Sequence, residues 1–255
     1  MAEGFSLSVP TRAPTGATTA YVHSGDEGLL VDPAARSDAL DSAVAESVGH
    51  VAVTHHHPDH VGAVAEYATE FDLTVWAKYG RAEGFETVTG IAPDRTFKSG
   101  ESIPAAGGVE VIDTPGHAPE HTAFVTPEGL LSGDLAVAEG SVVVGAPEGD
   151  MRAYLSSLRR VHARDPPRLY PGHGPVIETP RETCERLLAH RLDRERSVEA
   201  AVRNGARGLD EIVETAYDKD ISAVYGLARA TVLAHVEKLA VESRITFDGE
   251  IARPA

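Results

Sequence analysis

The stretch VAVTHHHPDHVGA, Val51 to Ala63, decides the fold. With the preceding His50 it opens as a run rich in β-branched residues and reads as a buried strand. It then places four histidines and one aspartate between His55 and His60. Side chains two residues apart project to the same side of a strand. His55 and His57 therefore share one side, and His56 faces the other. Pro58 and Asp59 suit the first turn of a helix, so Asp59 and His60 can aim back at a site beside His55 and His57. Imidazole and carboxylate are proper ligands for Zn²⁺. Five candidate donors exceed the three protein ligands of one catalytic zinc, so the run predicts two metal ions.

A two-metal site needs more donors, and the chain offers them further on. DTPGHAPEHTA supplies His117, LLSGDLA supplies Asp134 and LYPGHGPV supplies His173. Each follows a strand pattern and sits next to a glycine, which lets the backbone approach a site closely.

The segments around these motifs alternate between strand and helix. FSLSVP, TAYVHS and GLLVDP read as short strands ending at turn residues. SDALDSAVAESV has helical spacing with Ser37 as its N-cap. DHVGAVAEYATEF is again helical, and LTVWA is the next strand. GVEVIDTPG, HTAFVTP and GLLSGD are three further strand-and-turn units. GDMRAYLSSLRRVHA is a helix, and RLYPGHG a strand running into a loop. A long helix over about 179–203 starts at Thr179 and Pro180 and is stopped by Gly205. This mixture implies a layered α/β architecture. After NGARG, LDEIVETAY and AVYGLARATVLAHVEKLAVES read as two or three helices, and RITFDGEIARP as strand, Asp-Gly turn and strand. Helices followed by a small hairpin suggest a winged helix.

Composition narrows the function classes. The apolar fraction of 42% supports a buried core rather than disorder. No apolar run approaches the roughly 20 residues that span a bilayer. The opening residues have neither a basic start nor a long apolar stretch, so no signal peptide is expected. One cysteine, Cys184, excludes an internal disulfide framework and suits a reducing cytoplasm. The formal net charge is −16. Of 23 basic residues only Lys78, Lys98, Lys219 and Lys238 are lysines, which leaves 19 arginines. An acidic, lysine-poor surface serves solubility and also fits a halophilic setting, where salt screens self-repulsion. Neither reading provides the basic footprint of a nucleic-acid binder.

Taken together, the HxHxDH motif and the downstream His, Asp and His resemble the metallo-β-lactamase superfamily, over roughly Phe5 to Val176. The resemblance implies an αββα four-layer sandwich with the site at one edge of two packed sheets. It implies a hydrolase domain over 1–203, with 204–255 as a small winged-helix-like C-terminal domain. It assigns His55, His57 and His117 to one metal, Asp59, His60 and His173 to the other, and Asp134 to both. The expected cofactor is two Zn²⁺ per chain, with Fe or Mn acceptable to the same donors. A hydroxide shared by the two metals is the expected nucleophile, with the catalytic Asp59 as ligand and orienter. His56 should point away, and His121 could support a ligand or simply pack. An HR-x-x-RE helix followed by a winged-helix-like tail is similar to the superfamily branch that includes lactamase-beta-like endoribonucleases. In that branch His190, Arg191 and Arg194 become candidates for gripping a substrate anion.

The functional expectation is a metal-dependent hydrolase of unassigned substrate, and its strongest specific version is phosphodiester cleavage in single-stranded RNA. Against RNA, the segment from Gly205 to Ala255 has six Lys/Arg and nine Asp/Glu, 6 − 9 = −3. The alternative is a glyoxalase II-type thioesterase acting on a small acyl-thiol or ester. β-Lactamase activity fits less well, because Asp134 stands where those enzymes usually place a cysteine or a different ligand set. A DNA-binding regulator is disfavoured by the intact ligand set and the acidic tail, and sequence-specific DNA binding is not expected. The tail could equally be a lid or a homodimer contact.

Overall fold

The computed structural model describes residues 2–255. The chain runs through β1 (Ala2–Ser8), β2 (Ala17–His23), β3 (Gly28–Val31), α1 (Asp38–Ser47), β4 (Val48–Ala52), α2 (Pro58–Val61), α3 (Val64–Glu70), β5 (Thr74–Lys78), α4 (Ala82–Thr89), β6 (Arg95–Phe97) and β7 (Ser102–Ile103). It continues through β8 (Val109–Asp113), β9 (Thr122–Thr126), β10 (Gly129–Gly133), α5 (Met151–Arg164), β11 (Leu169–Pro171), α6 (Pro180–Arg203), α7 (Leu209–Ala216), α8 (Tyr225–Val241), β12 (Ile245–Phe247) and β13 (Ala252–Pro254). Among the described residues, strands β1 to β6 form one sheet in sequence order. A second sheet has the order β11-β10-β9-β8-β7.

Alternation of side chains along the strands assembles the layers. Leu29, Val31, Ala52 and Trp76 of the first sheet meet Val111, Phe124 and Leu131 of the second in a core between the sheets. Their neighbours Leu30, Val51, Val53 and Val75 face the other way, onto Leu40, Val44, Val64, Tyr67 and Phe85 of the helices. Ile112, Ala123 and Leu130 likewise face Leu155, Leu158, Val161 and Leu187 of α5 and α6. Both faces of each sheet are therefore buried, and the order of layers is helices, sheet, sheet, helices. A large aromatic such as Phe124, 0% exposed, cannot be trimmed cheaply here. Removing such a ring costs about 3–5 kcal/mol.

Helix starts follow local chemistry. Ser37 caps α1 by accepting from the N–H of Leu40, and Asp150 caps α5 by accepting from Ala153. The helical run after the histidines is split: α2 ends at Val61 and α3 begins at Val64, with Gly62 tucked against the Ala34 carbonyl. Strands β6 and β7 and helix α4 had no signal strong enough to read from sequence.

Beyond α5 the chain builds a fourth apolar cluster. Val198, Ala201 and Val202 of α6 pack with Ile212 and Val213 of α7, Val232, Val236 and Leu239 of α8, and Ile245 and Ala252 of the β12–β13 hairpin. Helix α6 serves two cores, since Cys184 and Leu187 belong to the cluster under the second sheet. A buried ion network pins the C-terminal elements to α6. Glu195 meets Lys238 at 2.7 Å and Arg244 at 2.6 Å, and Arg244 also reaches Glu199. Burial raises the pKa of Glu195, but His235, Lys238 and Arg244 outweigh it and hold the value at about 2. A carboxyl depressed on folding stabilises fully above its unfolded value near 4.3 and loses that contribution as pH falls towards the folded value. The C-terminal elements should therefore loosen between pH ~4.5 and ~2. Glu195→Ala should cost about 1–3 kcal/mol at pH 7, since it removes the carboxylate shared by Lys238 and Arg244 but leaves Lys238 with Glu242 and Arg244 with Glu199. Denaturant titration across that pH range checks both, and the variant should show the shallower dependence.

Candidate metal centre

The candidate ligands emerge from one edge of the sandwich because their strands run the same way. β3 and β4 are parallel, and so are β10 and β11. β8 and β10 each pair antiparallel with β9 and thus share that direction. The carboxyl ends of β4, β8, β10 and β11 deliver His55, His117, Asp134 and His173 to this edge, where ligand sites of such sheets collect. The N–H of Thr122 donates to the Thr54 carbonyl and closes the gap between the sheets beside the site. Gly172 is required by a close approach: a Cβ there would stand 2.6 Å from His60 Cε1 and 2.8 Å from Asp134 Oδ1.

The donor atoms form three overlapping groups, each within 4.8 Å: His55, His57, His117; His55, His60, Asp134; and Asp59, His60, His173. All seven residues singled out in the sequence are brought together. His57 Nδ1 lies 3.0 Å from His55 Nε2 and 2.9 Å from His117 Nε2. His60 Nε2 lies 3.4 Å from His173 Nε2. Asp134 Oδ2 is 3.5 Å from both His117 Nε2 and His173 Nε2, and Asp134 Oδ1 is 3.6 Å from His60 Nε2. Thr11 Oγ1 donates to Asp59 Oδ2 at 2.5 Å, and that oxygen is 3.6 Å from His173 Nε2.

The far side of each ring fixes which nitrogen carries hydrogen. His117 Nδ1 donates to the Val143 carbonyl at 2.6 Å, and His173 Nδ1 to the Ala17 carbonyl at 2.8 Å. His60 Nδ1 donates to Asp32 Oδ2 at 2.9 Å, and His57 Nε2 to Glu148 Oε2 at 3.1 Å. Thr54 Oγ1 gives its hydrogen to Asp32, so His55 Nδ1 must donate to Thr54. Each neutral ring is left with a lone pair on the nitrogen that faces the cluster. Lone pairs 2.9–3.4 Å apart repel unless a cation lies between them. The Asp134 Oδ1 atom is buried and has no hydrogen-bond donor. A metal pair fits this donor set, and the outer hydrogen bonds are the kind that orient ligating histidines.

Electrostatics divide the rings: His55 and His117 are driven neutral, whereas His60 and His173 are held towards protonation and give up that proton when a metal binds. Burial, reinforced by neighbouring rings, pushes the pKa of His55 well down, and burial lowers His117 despite the Asp134 charge. For His60, burial works downward but Asp32 and Asp134 prevail and hold the value at about 9. A proton and a metal cation therefore compete for its Nε2, and metal affinity should fall as pH drops below that value. Asp134 is held far below the usual carboxylate range by His60, His173 and His117, against the cost of its burial.

Two supporting residues escaped the sequence reading in different degrees. Asp32, 2% exposed, accepts from the Thr54 N–H, the Thr54 hydroxyl and His60. Its φ of +55° is one that aspartate tolerates better than most residues. The only sequence signal was an aspartate closing strand β3. His121 is buried, and its Nε2 accepts the backbone N–H of Asp134 at 3.1 Å, so it supports a ligand. Burial lowers its pKa to about 3 and keeps it neutral. His56 does face away: its backbone N–H donates to Glu120 and its ring packs on Phe85.

The three anion-binding candidates on α6 are not brought to the cluster. Arg191 is 3% exposed, donates to the Val142 carbonyl and lies over the Tyr154 ring. Arg194 donates to the Ala216 carbonyl and lies 3.6 Å over the Tyr217 ring. His190 is exposed. The helical spacing of these residues was right, but the packing of α6 against its neighbours spends both guanidiniums within the fold.

The family model of the metallo-beta-lactamase superfamily matches residues 13–173, and the chain belongs to that superfamily. It is 29% identical over 243 residues to the Beta-lactamase-like protein 2 homolog of Drosophila melanogaster, covering 91% of this chain and 81% of that protein. It is 28% identical over 194 residues to the Thioesterase pkgB of Emericella nidulans, covering 72% of this chain and 54% of that protein. A metallo-beta-lactamase family protein from Thermus thermophilus superposes with a TM-score of 0.77 at 23% identity, over 100% of this chain and 98% of that one. TTHA1623 in a di-iron-bound form gives 0.56 at 29% identity, over 70% and 96%. The chain is accordingly a metal-dependent hydrolase, and its His/Asp clusters support a dinuclear metal site. Among the described residues, no helix is long and apolar enough to cross a membrane.

Asp32→Asn keeps the size of the side chain but removes the charge that Thr54 and His60 lean on. It should weaken metal binding by about 10–100-fold. Competition with a chromophoric chelator checks this, and an unchanged affinity would remove Asp32 from the site.

Proposed function

We propose that the protein hydrolyses an acyl thioester or a related activated ester at a dinuclear centre. In this reading His55, His57 and His117 hold one metal, Asp59, His60 and His173 hold the other, and Asp134 serves both. The observation that carries it is the gathering of five imidazoles around the Asp134 carboxylate, with His117 and His173 at one oxygen and His60 nearest the other, which is buried and has no hydrogen-bond donor. Zn²⁺ suits these donors, as do Fe and Mn. When bound, the metal pair supplies a water-derived nucleophile near neutral pH and Lewis acidity towards the carbonyl.

The chain's own groups do the remaining work. Thr11 holds Asp59 Oδ2 by a 2.5 Å hydrogen bond, 3.6 Å from His173 Nε2, which fixes this carboxylate as ligand and orienter of the nucleophile. Glu148 and Val143 keep His57 and His117 in the tautomers the centre needs. Thioester chemistry is favoured over phosphodiester chemistry by two facts. A relative bears the name thioesterase. The two arginines that would have gripped a phosphate are engaged inside the fold.

Residues 204–255 are read as a winged-helix-like cap on a hydrolase domain of 1–203, built from α7, α8 and the β12–β13 hairpin. Its net charge of −3 suits a cap rather than an RNA clamp. The excess of 39 acidic over 23 basic residues keeps the whole surface negative and suits work at high salt.

The protein should carry about two metal equivalents per chain and cleave acyl thioesters in a panel that also contains RNA and simple phosphodiesters. Asp59→Ala should lower kcat by about 10²–10⁴-fold, the usual size of a general acid–base contribution. His117→Ala should lower metal content as well. Cleavage of RNA alone would overturn the substrate class, and unchanged metal content and turnover in both variants would overturn the site.

A further inference from the structure

The guanidinium of Arg191 presents a physical problem. It lies at the middle of α6, 3% exposed, and among the described residues no carboxylate pairs with it. Burial depresses its pKa. A buried cation without a counter-ion is costly, and an apolar residue of the same volume would pack more cheaply. Its donors must therefore be needed.

One of them is spent on the segment that leads from Asp134 to His57's partner Glu148, while Nε is buried without a hydrogen-bond partner. Residues 141–145 belong to no helix and to neither sheet, so their carbonyls have no ladder to join. Val142 and Val144 are buried in the core under the second sheet, and Arg191 donates to the Val142 carbonyl between them. The very next carbonyl, that of Val143, accepts from His117 Nδ1 at 2.6 Å. Upstream, Arg186 of the same helix donates to the carbonyls of Val137, Ala138 and Gly140.

The aromatic partner of Arg191 reaches the other ligand. Its guanidinium carbon is 5.6 Å from the centre of the Tyr154 ring, within cation–π range. The Tyr154 hydroxyl donates at 2.9 Å to the carbonyl of Leu135, the residue after Asp134. The backbone of Tyr154 also walls the turn before His117. Gly116 has φ +136°, and a Cβ on it would stand 2.4 Å from Tyr154 Cα.

We propose that Arg191 is a positioning residue of the metal centre. Through Val142 it fixes the carbonyl that orients His117, and through Tyr154 it fixes the turn that presents Asp134. The proposal rests on the dinuclear reading above, and it gives Arg191 a role different from contact with substrate.

The test measures metal affinity, not turnover. Wild-type protein, Arg191→Met, Arg191→Lys, Tyr154→Phe and Arg194→Met are stripped and titrated with Zn²⁺ against a chelator. Their Co²⁺ absorption spectra and unfolding midpoints are recorded alongside. Arg191→Met should weaken Zn²⁺ binding by about 10–100-fold and change the cobalt spectrum. Arg191→Lys should recover part of the affinity, and Tyr154→Phe should lose part of it. Arg194→Met should keep wild-type affinity. Wild-type affinity and spectrum in Arg191→Met would overturn the proposal, whatever happens to activity. If Arg191→Met does not fold, wild-type affinity in both Arg191→Lys and Tyr154→Phe would overturn it. Failure of the wild-type protein to bind Zn²⁺ would instead overturn the metal-centre reading beneath it.

Discussion

The hydrogen bonds accepted by Asp32 are the constraint on which the centre depends. One buried carboxylate takes the Thr54 N–H, the Thr54 hydroxyl and the Nδ1 of His60. It thereby joins the end of β3 to the end of β4 and sets the tautomers of His55 and His60 together. Without it, the hydroxyl of Thr54 could turn and donate to His55, which would place a hydrogen on the nitrogen that faces the cluster. The turn is held from the other sheet as well, where Thr122 donates to the carbonyl of Thr54. Two sheets and two histidines are thus fixed by groups that touch no ligand atom of the centre.

How much of this could be read in the sequence follows from which signals are local. The alternation of side chains past β4 is local, and it separated His55 and His57 from His56 without any knowledge of the fold. The strand-then-glycine context of His117, Asp134 and His173 is local too, and these residues do converge. Asp32 lies 22 positions before Thr54, and no periodicity connects a lone aspartate to a threonine so far away. His121 gave an ambiguous signal, because four residues after His117 a buried histidine can face either core or site. The stretch from Ala82 to Ile103 was silent for another reason: α4 is short, β6 and β7 have three and two residues, and such elements exist by tertiary packing. Phe85 and Phe97, both buried, are what anchor that stretch.

The arginines of α6 show where residue type and spacing mislead. Exposed arginines after a metal-binding motif invite a phosphate reading, because guanidinium is shaped for oxyanions. The same planar fork is equally suited to backbone carbonyls. Burial decides between the two, and burial of one face of a helix depends on everything that packs against it. Arg191 and Arg194 lie less than one turn apart, yet one meets the loop after β10 and the other meets α7.

That division of labour along α6 bears on how the C-terminal elements relate to the hydrolytic site. A helix of 24 residues is a rod of about 36 Å. Its first half is embedded under the second sheet through Cys184 and Leu187, and its last turns form the C-terminal core through Val198 and Val202. Arg191 sits between the two. The loop it holds is also tied to α8, since the N–H of Ala146 donates to the carbonyl of Ala230, and a Cβ on Gly145 would stand 2.8 Å from that of Ala230. Glu148, which meets His57, is two residues further along the same loop. The C-terminal elements therefore grip one wall of the metal centre from two directions, along α6 and through α8. A shift of α8 relative to α6 would be felt at His57 and His117 before it was felt at His60 or His173, whose outer partners, Asp32 and Ala17, belong to the first sheet and its connections.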